Sequence, residues 1–198
     1  MAITIVSAAI GFHGVPGESD GERRMNAIFR RQLADYVEYH RDPNNCTMHV
    51  FGIISLFTAA VLPLSLWSVP MFGLPTSAAT IAVLPVLIYW VLLDAALGTA
   101  IICAAALLLL AAATIVNHVP VAGVWSLTAV LIVVGVAFQV VGHRVFERRQ
   151  PALVDNPTHL LLGPMFVMTK LFNAFGFKHD LAVIIEAPPQ KASHGSSL

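Results

Sequence analysis

Four apolar runs, each of roughly 20 residues, limit what this chain can fold into. They cover residues 47–67, 76–93, 99–116 and 122–141. A helix rising 1.5 Å per residue needs about 20 residues to cross about 30 Å of hydrocarbon, so each run reads as one transmembrane helix. A water-facing surface cannot be assembled from the other residues. Of 198 residues, 57% are hydrophobic and 11% charged, whereas soluble domains carry about 25% charged residues. The expected fold is therefore all-α: an integral membrane helical bundle with four transmembrane helices.

The breaks between runs carry turn chemistry. Arg41-Asp-Pro-Asn-Asn45 precedes the first run, and residues 69–75, with two prolines and a glycine, form a turn after it. Asp94 ends the second run, and Asn117-His-Val-Pro120 ends the third. Before the first run, residues 26–40 have the spacing of an amphipathic helix, with Phe29, Leu33, Tyr36, Val37 and His40 on one side. After the fourth, residues 160–177 are apolar but interrupted by Gly163-Pro164, which predicts a broken re-entrant or interfacial helix.

The chain divides into three segments. Residues 1–24 form an N-terminal extension without the basic start of a signal peptide; Met25 can serve as initiator, and the extension is expected to be dispensable. Residues 25–187 are expected to form a single membrane-embedded domain. Residues 188–198, rich in Pro, Ser and Gly, form a disordered tail. Arg23, Arg24, Arg30, Arg31 and Arg41 precede the first run, while Arg144, Arg148, Arg149, Lys170 and Lys178 come after the fourth. The positive-inside rule then puts both termini in the cytoplasm. The net charge of zero argues against nucleic acid as a partner.

With this topology the polar residues sort by membrane face. His40, Asn44, Asn45, His49, Asp94, Gln139, His143, Glu147, Asp155 and His159 gather on or near the cytoplasmic face, and His118 lies opposite. If the last run continues as α-helix towards Pro151, Gln139, His143 and Glu147 share one face. His40 and His49 flank a helix break and converge only if the Asp-Pro-Asn-Asn segment folds back. Asp94 is the only charged residue between Asp42 and Arg144; it reads either as a helix-end aspartate or as a partner of a histidine or metal. Cys46 reads as a small apolar filler. Histidines with carboxylates and few thiols suit non-haem iron or zinc. Iron would make an oxygenase and zinc a membrane lipid hydrolase, while a non-enzymatic haem- or metal-binding protein uses the same residues. The residues alone leave these open.

The motifs Tyr39-His-Arg-Asp-Pro-Asn-Asn-Cys-Thr-Met-His49-Val-Phe-Gly52, then Asp94, Gln139-Val-Val-Gly-His143-Arg-Val-Phe-Glu147, Pro151-Ala-Leu and Asn156-Pro-Thr-His-Leu-Leu-Leu-Gly-Pro-Met-Phe resemble one family. It comprises small membrane proteins typified by the fungal 2-hydroxy fatty acid dioxygenase of phytosphingosine breakdown, and the resemblance spans roughly residues 26–180. It implies an iron(II)-dependent α-oxidation that shortens a long-chain 2-hydroxy fatty acid by one carbon, with dioxygen as co-substrate. It places the metal on His40, His49 and His143, with His159 as a less regular fourth ligand. It places Asn45, Gln139 and Glu147 beside them, with Asp94 as a further catalytic candidate. The N-terminal extension and the Ser/Gly tail lie outside the pattern.

Overall fold

The structure, a computed structural model, describes residues 20–148, 159–177 and 179–186. Expectations for residues 1–19 of the N-terminal extension, for Asp155 and the Pro151 turn, and for the tail from 188 fall outside the described residues.

The chain is mostly helical. Helix α1 (Asp20–Val37) presents the expected stripe: Phe29, Leu33, Tyr36 and Val37 are all buried. It ends three residues before the predicted limit. The chain then tightens, with Glu38, Tyr39 and His40 N–H groups bonding the carbonyls of Asp35, Tyr36 and Val37. Asp42 starts α2 (Pro43–Leu64), its carboxylate accepting from Asn44 N and Asn45 N, with Pro43 in the first turn where no donor is needed.

The predicted turn at 69–75 is a β-hairpin, β1 (Ser68–Met71) against β2 (Leu74–Ser77). Phe72 and Gly73 form its two-residue loop, both with positive φ, as a twisted hairpin requires. The hairpin absorbs Thr76 and Ser77 from the second apolar run, so α3 (Ala78–Leu93) has only 16 residues. Asp94 caps α4 (Ala95–His118). Helix α5 (Val121–Val141) comes next and continues into a π-helical turn, Gly142–Glu147. Among the described residues, three helices are long and apolar enough to cross a membrane: α2, α4, and α5 with its π-turn. Helix α3 is apolar but shorter.

The α2–α5 seam is the most extensive helix contact. Small residues allow it: a Cβ on Gly135 would stand 2.7 Å from Leu56 Cγ, and one on Gly52 2.7 Å from Gln139 Nε2. Facing outward on α4 and α5, Leu107, Leu110, Val130 and Val133 are exposed. Such an apolar exterior suits a lipid environment.

Two corrections concern the ends of the bundle. The last long helix does not run as α-helix towards Pro151; it widens at Gly142 and stops at Arg148, which is left-handed at φ 54° and returns its N–H to His143 O. The apolar C-terminal stretch does not break at Gly163-Pro164, because α6 (His159–Ala174) runs through both. It ends instead at Gly176, φ 80°, with Phe177 N bonded to Phe172 O and Gly176 N to Asn173 O. This is a Schellman stop, closed by Phe172 against Phe177. A short α7 (His179–Ile185) packs back on α1, where Arg30 pairs with Asp180.

Candidate metal centre

Three histidines from three separate segments meet in the interior. His40 comes from the tight turn after α1, His49 from the second turn of α2, and His143 from the π-turn. Their ring centroids are 4.3 Å (His40–His49), 4.9 Å (His40–His143) and 5.5 Å (His49–His143) apart. One ring nitrogen from each lies within 4.8 Å of those of the other two, and all three residues are buried. The fold-back at Asp42-Pro43 that this convergence demands is present.

Each histidine has an orphaned nitrogen. His40 Nε2, His49 Nδ1 and His143 Nδ1 are buried without a hydrogen-bond partner among the described residues. Buried polar atoms are normally satisfied, so three orphans converging on one place call for a shared occupant. The other nitrogens of two rings are engaged by one residue: His40 Nδ1 donates to the Tyr36 carbonyl at 2.9 Å, and His49 Nε2 shares a 2.6 Å hydrogen bond with the Tyr36 hydroxyl. Tyr36 also stacks on His40, centroids 4.1 Å apart and planes 9° apart.

Burial keeps His40 neutral. Burial first, and the adjoining His49 imidazole next, hold His40 well below the ordinary histidine range. Burial likewise pushes the Tyr36 phenol far up, so it stays a hydroxyl at neutral pH.

The remaining sequence candidates divide. Asn45, fully buried, lies beside the histidines; its Nδ2 donates to Tyr39 O at 3.3 Å and to Glu147 Oε1 at 3.2 Å, and its Oδ1 has no described partner. Glu147 reaches the Asp42 backbone N–H at 2.7 Å. Gln139, His143 and Glu147 all turn towards α2 or the turn that opens it: Gln139 meets Gly52, His143 meets His49 and Glu147 meets Asp42 and Asn45. Asp94 accepts from Ala96 N and Leu97 N as a helix cap. His159 stands outside the three-histidine group. Its Nε2 meets Asp35 Oδ2 at 2.9 Å, its ring lies 5.4 Å from Tyr36, and its Nδ1 is another buried orphan.

Sequence reasoning read Tyr36 only as part of the apolar stripe. The i, i+4 spacing to His40 was the available signal. Lys170 was read only as one of the flanking basic residues. Its Nζ donates to Cys46 Sγ at 3.0 Å, and Cys46 donates to His40 O at 3.3 Å. Cys46, Phe166 and Lys170 also line a cavity of about 260 Å³.

Three imidazoles with open lone pairs form a donor set that suits iron, zinc, copper or nickel. The residues present therefore fit a divalent metal. Comparison with known proteins gives the same region a family. No solved structure matches this chain. The chain is 34% identical over 159 residues, covering 79% of its own length and 87% of the relative's, to the 2-hydroxy-palmitic acid dioxygenase MPO1 of Saccharomyces cerevisiae. The family described as 2-hydroxy-palmitic acid dioxygenase Mpo1-like matches residues 27–175, a span that holds all three histidines with Tyr36, Asn45 and Glu147, and the chain belongs to that family.

Proposed function

We propose that this protein is a membrane dioxygenase that removes one carbon from long-chain 2-hydroxy fatty acids, with iron(II) held by His40, His49 and His143. The observation that carries the reading is the convergence of three buried, partnerless imidazole nitrogens inside the matched span. Bound there, iron(II) would supply the redox chemistry that dioxygen needs to react with a 2-hydroxy acid.

The chain's own residues do the rest. The neutral state of His40 leaves its Nε2 lone pair free at neutral pH. Asn45 and Glu147 tie the turn carrying His40 to the turn carrying His143. Phe166, 5.5 Å from the His40 ring and buried, screens that side from water. A long acyl chain can lie against the apolar flanks, each buried methylene contributing about 0.8 kcal/mol. The balance closes without an external reductant: one 2-hydroxy acid and one dioxygen give the shortened acid, carbon dioxide and water.

The assay incubates the purified protein anaerobically with iron(II) and 2-hydroxypalmitate, then admits oxygen. The reading requires a product one carbon shorter that depends on both iron and oxygen, and no cleavage of palmitate itself. Three imidazoles also suit catalytic zinc, so a second reading is a zinc-dependent lipid hydrolase. Turnover unaffected by removing oxygen would move that reading ahead and retire the first.

A further inference from the structure

We propose that Tyr36 is the positioning residue of the metal centre: it sets the tautomer and orientation of two of the three ligands at once, through two different oxygens. The inference rests on the metal reading of the three histidines.

At His40 the direction of the hydrogen bond is fixed. A carbonyl oxygen can only accept, so the 2.9 Å contact from His40 Nδ1 to Tyr36 O holds the proton on Nδ1. The lone pair is thereby left on Nε2, the buried atom with no described hydrogen-bond partner. The Tyr36 ring, stacked on His40 with planes 9° apart, stops that imidazole from rotating.

His49 presents the complementary case. Its orphaned atom is Nδ1, and its Nε2 sits 2.6 Å from the Tyr36 hydroxyl. A neutral imidazole carries one proton, so a ligating Nδ1 requires Nε2–H. That N–H then donates to the Tyr36 oxygen. Without metal, the opposite direction is equally open: the phenol donates to Nε2, and Nδ1 keeps the proton. Metal binding therefore selects one direction of a single hydrogen bond. The phenol can serve in both because a hydroxyl accepts as well as donates.

Tyr36 is itself clamped. It is 1% exposed, packed against Phe166 at 5.1 Å, and α6 comes so close at Gly163 that a Cβ there would lie 3.3 Å from the Tyr36 hydroxyl. A partner held on every side transmits its own position to both ligands. Histidine ligands whose second nitrogen is held by such a partner bind metal about tenfold to a hundredfold more tightly than those without it.

The test is Tyr36→Phe, which keeps the ring, the stack and the backbone carbonyl and removes only the oxygen facing His49. Purified apo-protein is titrated with cobalt(II) against a competing chelator, with far-ultraviolet circular dichroism to verify helix content. Cobalt affinity should fall about tenfold or more, and the cobalt d–d spectrum should shift while helix content stays at the wild-type level. Wild-type affinity and an unshifted spectrum in Tyr36→Phe would overturn the proposal and leave the metal reading standing. A wild-type protein that takes up no cobalt and no iron would sink both.

A second measurement needs no variant. Nitrogen-15 shifts of histidine in zinc-loaded wild-type protein should show His49 metallated at Nδ1 and protonated at Nε2. The reverse assignment rules out the role given to the Tyr36 hydroxyl, whatever the variant does.

Discussion

Glu147 Oε1 accepts the backbone N–H of Asp42 at 2.7 Å, joining the end of the last long helix to the turn that opens α2. The same oxygen takes Asn45 Nδ2 at 3.2 Å. Two residues before Asp42 is His40; four before Glu147 is His143. The carboxylate is thus a strut between two of the three segments that meet at the centre, bonded to backbone and amide.

Glu147→Ala should therefore cost stability and metal together. Hydrogen bonds to a charged group contribute about 1.5–3 kcal/mol, and here the Asp42 N–H loses its acceptor. The expected result is a lower thermal midpoint and loss of most bound iron, read by metal analysis of the gently purified protein. Glu147→Gln, which keeps an acceptor oxygen, should retain more of both. Equal loss in the two variants would point to a role for the charge itself.

Gly142 and Asn45 form a second lock. A Cβ on Gly142 would overlap Asn45 Oδ1, in a place where Asn45 is fully buried. Gly142→Ala must push Asn45 off Tyr39 O and Glu147, or move the π-turn that carries His143. Overpacking of this kind costs about 1–3 kcal/mol. Adding Asn45→Ala to Gly142→Ala should remove the overlap, so the double variant should be less destabilised than the sum of the single ones. Strict additivity in thermal unfolding would contradict the contact.

These two locks show how far the sequence could be read. The stripe Phe29, Leu33, Tyr36, Val37 and His40 was legible because burial on one side tracks helical spacing. The three histidines were legible as candidates because so few polar residues border the apolar runs. The shared face of Gln139, His143 and Glu147 was legible from their spacing, although that spacing assumed a straight α-helix. The π-turn from Gly142 to Glu147 departs from that geometry, yet all three side chains still meet α2 or the turn that opens it, Gln139 at Gly52, His143 at His49 and Glu147 at Asp42. The hairpin was hidden because its strands are four residues each, contain prolines, and show no alternation of apolar and polar residues. Asp94 was legible as a helix-end aspartate, and its carboxylate does accept from the Ala96 and Leu97 N–H groups.

The neutral state of His40 predicts a pH dependence with a definite sign. Burial depresses its folded-state pKa well below 6.5. As pH falls through about 6.5 the unfolded chain gains a proton that the folded chain refuses, so stability is full above that value and declines below it. Each further unit costs about 1.4 kcal/mol for such a group. The thermal midpoint of the apo-protein should be flat at neutral and mildly alkaline pH and fall in mild acid, and bound metal should be released over the same range, since protons compete for the same lone pairs. A midpoint that rises on acidification contradicts a buried neutral His40.

The last prediction concerns which side of the membrane the centre faces. His40 lies just before α2, His49 near its start and His143 at the start of the π-turn, while the β-hairpin lies beyond the other end of α2. With 22 residues in α2, helical rise separates the two by about 30 Å, the thickness of the hydrocarbon core. Arg30, Arg31, Arg41, Arg144 and Arg148 cluster near the histidine end, whereas neither residues 66–77 nor residues 117–121 hold a Lys or Arg. Basic residues stay cytoplasmic, so the centre and the N-terminal helix should face the cytoplasm and the hairpin the opposite side. Single cysteines at two exposed positions, Arg31→Cys on α1 and Phe72→Cys at the hairpin tip, in a Cys103→Ser background, give a direct test; the remaining Cys46 is buried. A membrane-impermeant maleimide added outside intact cells should label Phe72→Cys and spare Arg31→Cys until the membrane is opened. Labelling of both from one side would mean that α2 does not cross the bilayer, and the inverse pattern would turn the centre outward.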